Sequence, residues 1–137
     1  MKLRIQGSTL RLRLNRSDVE QFRTSGVCAE SLRFDSNSRL TYTLETSSRL
    51  TAMEVQYVQD CIRVRLPLDM AEEWAGSDRI SLSLSRASDS GPSLLIEKDF
   101  QCLHREERNP ADDADAFPNP AQVVTIWQRS KGEAQER

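Results

Sequence analysis

The chain has 137 residues, 37% of them hydrophobic and 29% charged, with a formal net charge of −2. One globular domain with a real core is the expectation at that length and composition. Residues 1–66 carry 11 Lys+Arg against 7 Asp+Glu, and residues 67–137 carry 8 against 14; so mild a basic half is no nucleic-acid footprint, and nucleic acid is not expected as a partner. Met1 to Gly7 contains no apolar core of a signal peptide, and no run approaches the roughly 18 apolar residues of a membrane span. The three cysteines, Cys28, Cys61 and Cys102, form no CxxC pair. They read as reduced thiols in a cytoplasmic protein.

In chain order, Leu3 and Ile5 alternate with Lys2 and Arg4, and Gly7-Ser8 supplies a tight turn. Leu10, Leu12 and Leu14 alternate with Arg11 and Arg13 at the strict period of a half-buried strand. Ser17 with Glu20 predicts a capping box opening a short helix, and Gly26 a left-handed stop. Leu32 and Phe34 lead into a turn at Asp35-Ser36-Asn37-Ser38, and Leu40, Tyr42 and Leu44 give the next strand. The order then recurs. Met53, Val55 and Tyr57 form a strand, Gln59-Asp60 a turn, and Ile62, Val64 and Leu66 a strand alternating with Arg63 and Arg65. Asp69 with Glu72 opens a second helix, and strands over Ile80–Leu84 and Leu94–Ile96 flank a turn at Asp89–Pro92. Residues 104–120 are charged and proline-bearing without periodicity, so a loop is expected. Val123–Trp127 is an isolated β-prone patch, and residues 129–137 read as disordered.

Leu10–Phe22 lies over Ile62–Trp74 at an offset of 52 with no gap, apolar on apolar and arginine on arginine. The fold expected is therefore β-rich α+β, a single duplicated domain over 1–120. Its repeats are 1–46 and 53–98, its loop extension is 99–120, and 121–137 is a partly disordered tail. Two ββαββ units, each with a one-sided apolar face, would close into one eight-stranded antiparallel barrel or barrel-like sheet carrying two short helices.

Met1-Lys2-Leu3-Arg4-Ile5 with Leu10-Arg11-Leu12-Arg13-Leu14, Leu40–Glu45, Leu95–Leu103 and Phe117-Pro118-Asn119-Pro120 carry a resemblance to a family of small uncharacterised bacterial proteins, a domain of unknown function. The resemblance spans nearly all of 1–120. It implies a bacterial, cytoplasmic protein and transfers no activity. The expected barrel is also similar in architecture to the triphosphate tunnel enzymes. Their Glu-x-Glu-x-Lys first strand is replaced here by Lys2-Leu3-Arg4, so that likeness is fold analogy alone.

Three places could carry chemistry. Lys2, Arg4, Arg11, Arg13, Arg63 and Arg65 share the strand phase opposite the leucines, with Glu45 and Glu97. Guanidinium forks suit phosphate, so a cationic anion-binding wall is one reading. A solvated face of cross-strand Arg–Glu pairs is the other. Cys102 and His104, followed by Glu106, Glu107, Asp112, Asp113 and Asp115, are a weak zinc or nucleophile–base candidate; with one His in the chain, no metal and no cofactor is expected. Lys98, Asp99, Phe117 and Asn119 could rim a pocket at a barrel mouth, or Phe117 could simply anchor a loop. The function expected is a binding or interaction module for an anionic small molecule or a protein. The alternative is an enzyme acting on a phosphorylated or other anionic substrate inside a cationic barrel. Inward arginines would favour the enzyme, outward arginines the module.

Overall fold

A computed structural model describes residues 1–87, 89–100 and Phe117. Strands β1 (Lys2–Gln6) and β2 (Thr9–Leu14) form an antiparallel hairpin turning at Gly7, whose φ is 55°. Helix α1 (Arg16–Ser25) leads to a second hairpin, β3 (Val27–Arg33) with β4 (Arg39–Ser47). A third hairpin pairs β5 (Glu54–Val58) with β6 (Cys61–Pro67). Its two-residue turn holds Gln59 and Asp60 at φ 51° and 58°, the left-handed backbone that tight hairpin turns require. Helix α2 (Leu68–Gly76) then precedes β7 (Ser81–Leu84) and β8 (Ser93–Lys98), an antiparallel pair.

The strands form two four-stranded sheets, ordered β1-β2-β8-β7 and β3-β4-β6-β5. The expected single barrel is not what forms, and the sheets are not purely antiparallel. Their central pairs, β2 with β8 and β4 with β6, are parallel. The helices explain this. Each is a crossover, carrying the chain from the end of one sheet's central strand into the other sheet, so each sheet receives one hairpin from each half. Once the apolar face of each sheet is covered by the other sheet and the helices, closure is not needed to bury it. Among the described residues, the outer strands β1, β7, β3 and β5 remain edges. The two central registers match: Leu12 stands opposite Ile96 and Arg13 opposite Glu97, as Val64 stands opposite Leu44 and Arg65 opposite Glu45.

The leucine-phase residues of both sheets share one core. Leu12, Leu14, Leu44, Val64, Leu66 and Ile96 have no exposed surface, each such burial stabilising by about 1.5–3 kcal/mol. Phe22 and Trp74 lock the helices together edge-to-face, with ring centroids 6.2 Å apart, and Trp74 Nε1 donates to the Ile80 carbonyl at 3.2 Å. Leu10, Cys28, Ala71, Leu82, Leu94, Met1 and Met53 complete the core. Ile5 shares the phase of Leu3 yet is 61% exposed, on the edge strand β1 close to its turn at Gly7.

Helix starts differ from the expected capping boxes. Asn15 caps α1: its Oδ1 accepts the Asp18 N–H at 2.8 Å, and its own N–H donates to Asp18 Oδ2 at 3.0 Å. Ser17 and Glu20 therefore sit inside the first turns rather than closing a box. Helix α2 starts after Pro67 with no side-chain cap, so Asp69 and Glu72 close no box either. Gly26 is the left-handed stop expected, at φ 76°, with its N–H on the Phe22 carbonyl at 2.8 Å.

Candidate functional site

The period of two decides where the arginines go. With Leu10, Leu12 and Leu14 inward, Arg11 and Arg13 must face outward; the same holds for Arg63 and Arg65 on β6. The sheets turn their leucine faces to one common core. The two arginine faces are therefore on the outsides of separate sheets and converge on no shared interior.

On β6 each arginine has its own carboxylate. Arg63 grips Glu45 with two hydrogen bonds, Nε to Oε2 at 2.9 Å and Nη2 to Oε1 at 3.1 Å. Thr43 Oγ1 adds a third, to Oε2 at 2.8 Å. The hydrogen bonds from Arg63 hold the Glu45 carboxyl below its ordinary pKa against the opposing effect of partial burial, and Thr43 and the charges of Arg63 and Arg65 assist. Arg65 reaches Glu54 on β5 at 3.3 Å. Among the described residues these four groups balance in charge, although Arg65 Nε, like Arg13 Nε on the other sheet, makes no hydrogen bond.

The outside of the first sheet is different. Arg11 Nε and Arg13 Nε approach one oxygen of Glu97, at 3.1 and 2.8 Å. Among the described residues neither Arg13 Nε nor Glu97 Oε1 makes a hydrogen bond, so this is a charge contact without the bidentate fork. Lys2 Nζ donates to Asp99 Oδ2 at 3.1 Å, and Arg13 Nη2 lies 4.0 Å from Asp99 Oδ1. The hydrogen bond from Lys2 lowers the Asp99 pKa. Arg4 meets the amide oxygen of Gln6, at 3.2 Å, and no carboxylate among the described residues. The register sets Lys2 opposite Arg13 and Arg4 opposite Arg11. Like charges placed directly opposite oppose strand pairing, by roughly 0.2–1 kcal/mol in exposed sheets. On the second sheet the matching partners of Arg65 and Arg63 are Glu54 and Gln56.

Of the pocket-rim candidates, Lys98 ends β8 and Asp99 follows it. Lys98 points to the helix side, where Nζ donates to the Ser77 carbonyl at 2.7 Å and sits 5.5 Å from the Trp74 ring centroid. Asp99 is on the outer face with Lys2 and Arg13. Alternation along an extended strand puts neighbours on opposite sides, so the two cannot line one pocket. Phe117 is 99% exposed. Asn119, Cys102 and His104 lie outside the described residues. Among the described residues, no group of three His, Cys, Asp or Glu side chains could hold a metal.

A polar cluster that sequence reasoning missed surrounds the Met1 ammonium. This nitrogen is part-buried, 2.8 Å from Asp18 Oδ2 and 3.2 Å from Glu30 Oε1. Tyr42 Oη donates to the Met1 carbonyl at 2.9 Å. Burial works to lower the ammonium pKa, but hydrogen bonds to Asp18 and Glu30 and their charges outweigh it, and the net direction is up. Burial, reinforced by Asp18, pushes the adjacent Cys28 thiol up. The pattern was findable: at the offset of 52 the positions matching Asp18, Cys28, Glu30 and Tyr42 are Met70, Ile80, Leu82 and Leu94, all apolar.

No helix among the described residues is long and apolar enough to cross a membrane. Over residues 1–121 the chain matches, and belongs to, a family of unknown function, DUF7009. No curated protein and no solved structure matches it.

Proposed function

We propose that this member of a family of unknown function is a cytoplasmic binding or interaction module built by internal duplication, rather than an enzyme. One observation carries the reading: Arg11, Arg13, Arg63 and Arg65 face outward from two open sheets and hold carboxylates already, so no enclosed cationic chamber exists among the described residues. Phosphoryl-transfer chemistry relies on charges converging around one buried phosphate. Arginines on separate outer faces cannot converge. Duplication is supported by the gapless sequence offset of 52 and by the matched central registers. The test is turnover. Wild-type protein incubated with tripolyphosphate and Mg²⁺ should release orthophosphate at the buffer rate. Release above background, abolished in the Arg13→Ala/Arg65→Ala protein, would establish the enzyme alternative instead.

A further inference from the structure

Two sheets that match in register differ in one respect that the fold does not require. At the outer-strand positions facing the arginines, the second sheet carries Glu54 and Gln56, which neutralise or separate them. The first sheet carries Lys2 and Arg4 at those positions. Four cations, Lys2, Arg4, Arg11 and Arg13, thus stand as two directly opposed like-charged pairs, tempered among the described residues by Glu97 and Asp99. The matched β5–β6 hairpin of the second sheet forms without this repulsion. A further opposed pair, Arg33 with Arg39, sits in the second sheet at the turn end of the β3–β4 hairpin, beyond the part of β4 that pairs with β6.

We infer that the outer face of β1 and β2 is a docking surface for an extended acidic polypeptide segment; this rests on the module reading above. The partner's chemistry follows from the layout. The cations repeat at every second residue along each strand, about 6.8 Å apart. Alternate side chains of an extended peptide have that same spacing, so carboxylates at every second position meet the two rows. Glu97 and Asp99 remain beside the face, and repel a phosphate-dense polymer more than a peptide whose charges are spaced. A single small phosphate would meet the flat rows at one or two points only. Docking carboxylates would also relieve the opposed pairs Arg4–Arg11 and Lys2–Arg13.

Fluorescence anisotropy of a labelled alternating Glu–Ser peptide, at low salt, tests this on the full chain. Wild-type protein should bind one peptide, with affinity falling at least tenfold between about 20 and 200 mM salt. Lys2→Glu/Arg4→Gln places on β1 the residues that β5 already carries at matched positions, and should weaken binding tenfold or more. The reverse exchange, Glu54→Lys/Gln56→Arg, should create a second site and double the stoichiometry. Arg33→Ser/Arg39→Ser should leave binding unchanged. Absence of binding by the wild type, unchanged affinity in Lys2→Glu/Arg4→Gln, or loss confined to Arg33→Ser/Arg39→Ser would overturn the inference. So would stronger binding of polyphosphate or single-stranded DNA than of the peptide in parallel arms. None of these results produces turnover of tripolyphosphate, so failure here is distinguishable from failure of the module reading.

Discussion

Removing the carboxylates around the Met1 ammonium should produce a stability loss with a particular pH signature. In the Asp18→Asn/Glu30→Gln protein the part-buried nitrogen loses both ion-pair partners, while the new amide at position 18 keeps an oxygen for the Asn15 N–H and so preserves the α1 cap. Breaking a fully buried pair typically costs about 3–5 kcal/mol and an exposed one under about 1 kcal/mol; this part-buried cluster, with Glu30 46% exposed, lies between. Here an escape limits the cost: the amine can shed its proton. From its ordinary pKa of 8.0, neutralising it at pH 6 costs about 2.7 kcal/mol, at about 1.36 kcal/mol per unit. The neutralisation figure is a ceiling, and with solvent screening of a part-buried pair the expected loss is roughly 1–2 kcal/mol at pH 6. The sign follows from linkage: because the folded-state pKa is raised, the ion-pair contribution is complete below about pH 8 and disappears as pH rises through the folded value. Urea titrations of both proteins from pH 6 to 10 should show wild type losing stability above pH 8 and the gap to the variant closing. A gap that stays constant with pH would mean that the ammonium is not what Asp18 and Glu30 hold.

Leu12 has no exposed surface at the centre of the first sheet; Leu12→Ala should cost ~2–5 kcal/mol, and an unchanged urea midpoint would show that the strand phase is wrong. Gly26→Ala meets both a positive φ of 76° and a Thr46 Oγ1 2.8 Å from the added Cβ; it should destabilise by about 1 kcal/mol or more, whereas Gly76→Ala, with open space at that position, should not. Glu45, with its lowered pKa, contributes stability that is present above the ordinary carboxylate range and lost as pH falls through the folded value; Arg63→Ala should flatten that acid limb, read as thermal midpoint between pH 2 and 6. Cys28 is buried and its pKa raised, so peptide mapping after brief thiol labelling of the folded protein should find Cys61 modified well before Cys28.

The alternation at Leu10–Leu14 and Ile62–Leu66 made strand phase, and hence the outward arginines, legible in the sequence, since a period of two leaves only one assignment of faces. Pairing was not legible. Phase says which side of β2 is apolar; it does not say that β2 lies beside β8 rather than closing a ring. The parallel central pairs depend on α1 and α2 crossing between layers, which no local pattern encodes. The cap expected at Ser17 with Glu20 forms two residues earlier, at Asn15 with Asp18. The strand stops at Leu14, so the first residue able to cap is Asn15, and it takes the role. Of the candidate site, the arginines and Glu97 could be named from sequence. The opposition of Arg4 to Arg11, and the contrast between Lys2 and Glu54, needed the registers.

A titration of isotopically labelled protein with the alternating Glu–Ser peptide, followed by NMR, tests the central claim most directly. The account predicts shifts concentrated at the backbone and side-chain N–H groups of Lys2, Arg4, Arg11 and Arg13, with Arg63 and Arg65 unmoved. Shifts centred on β5 and β6, or none at all at low salt, would contradict it.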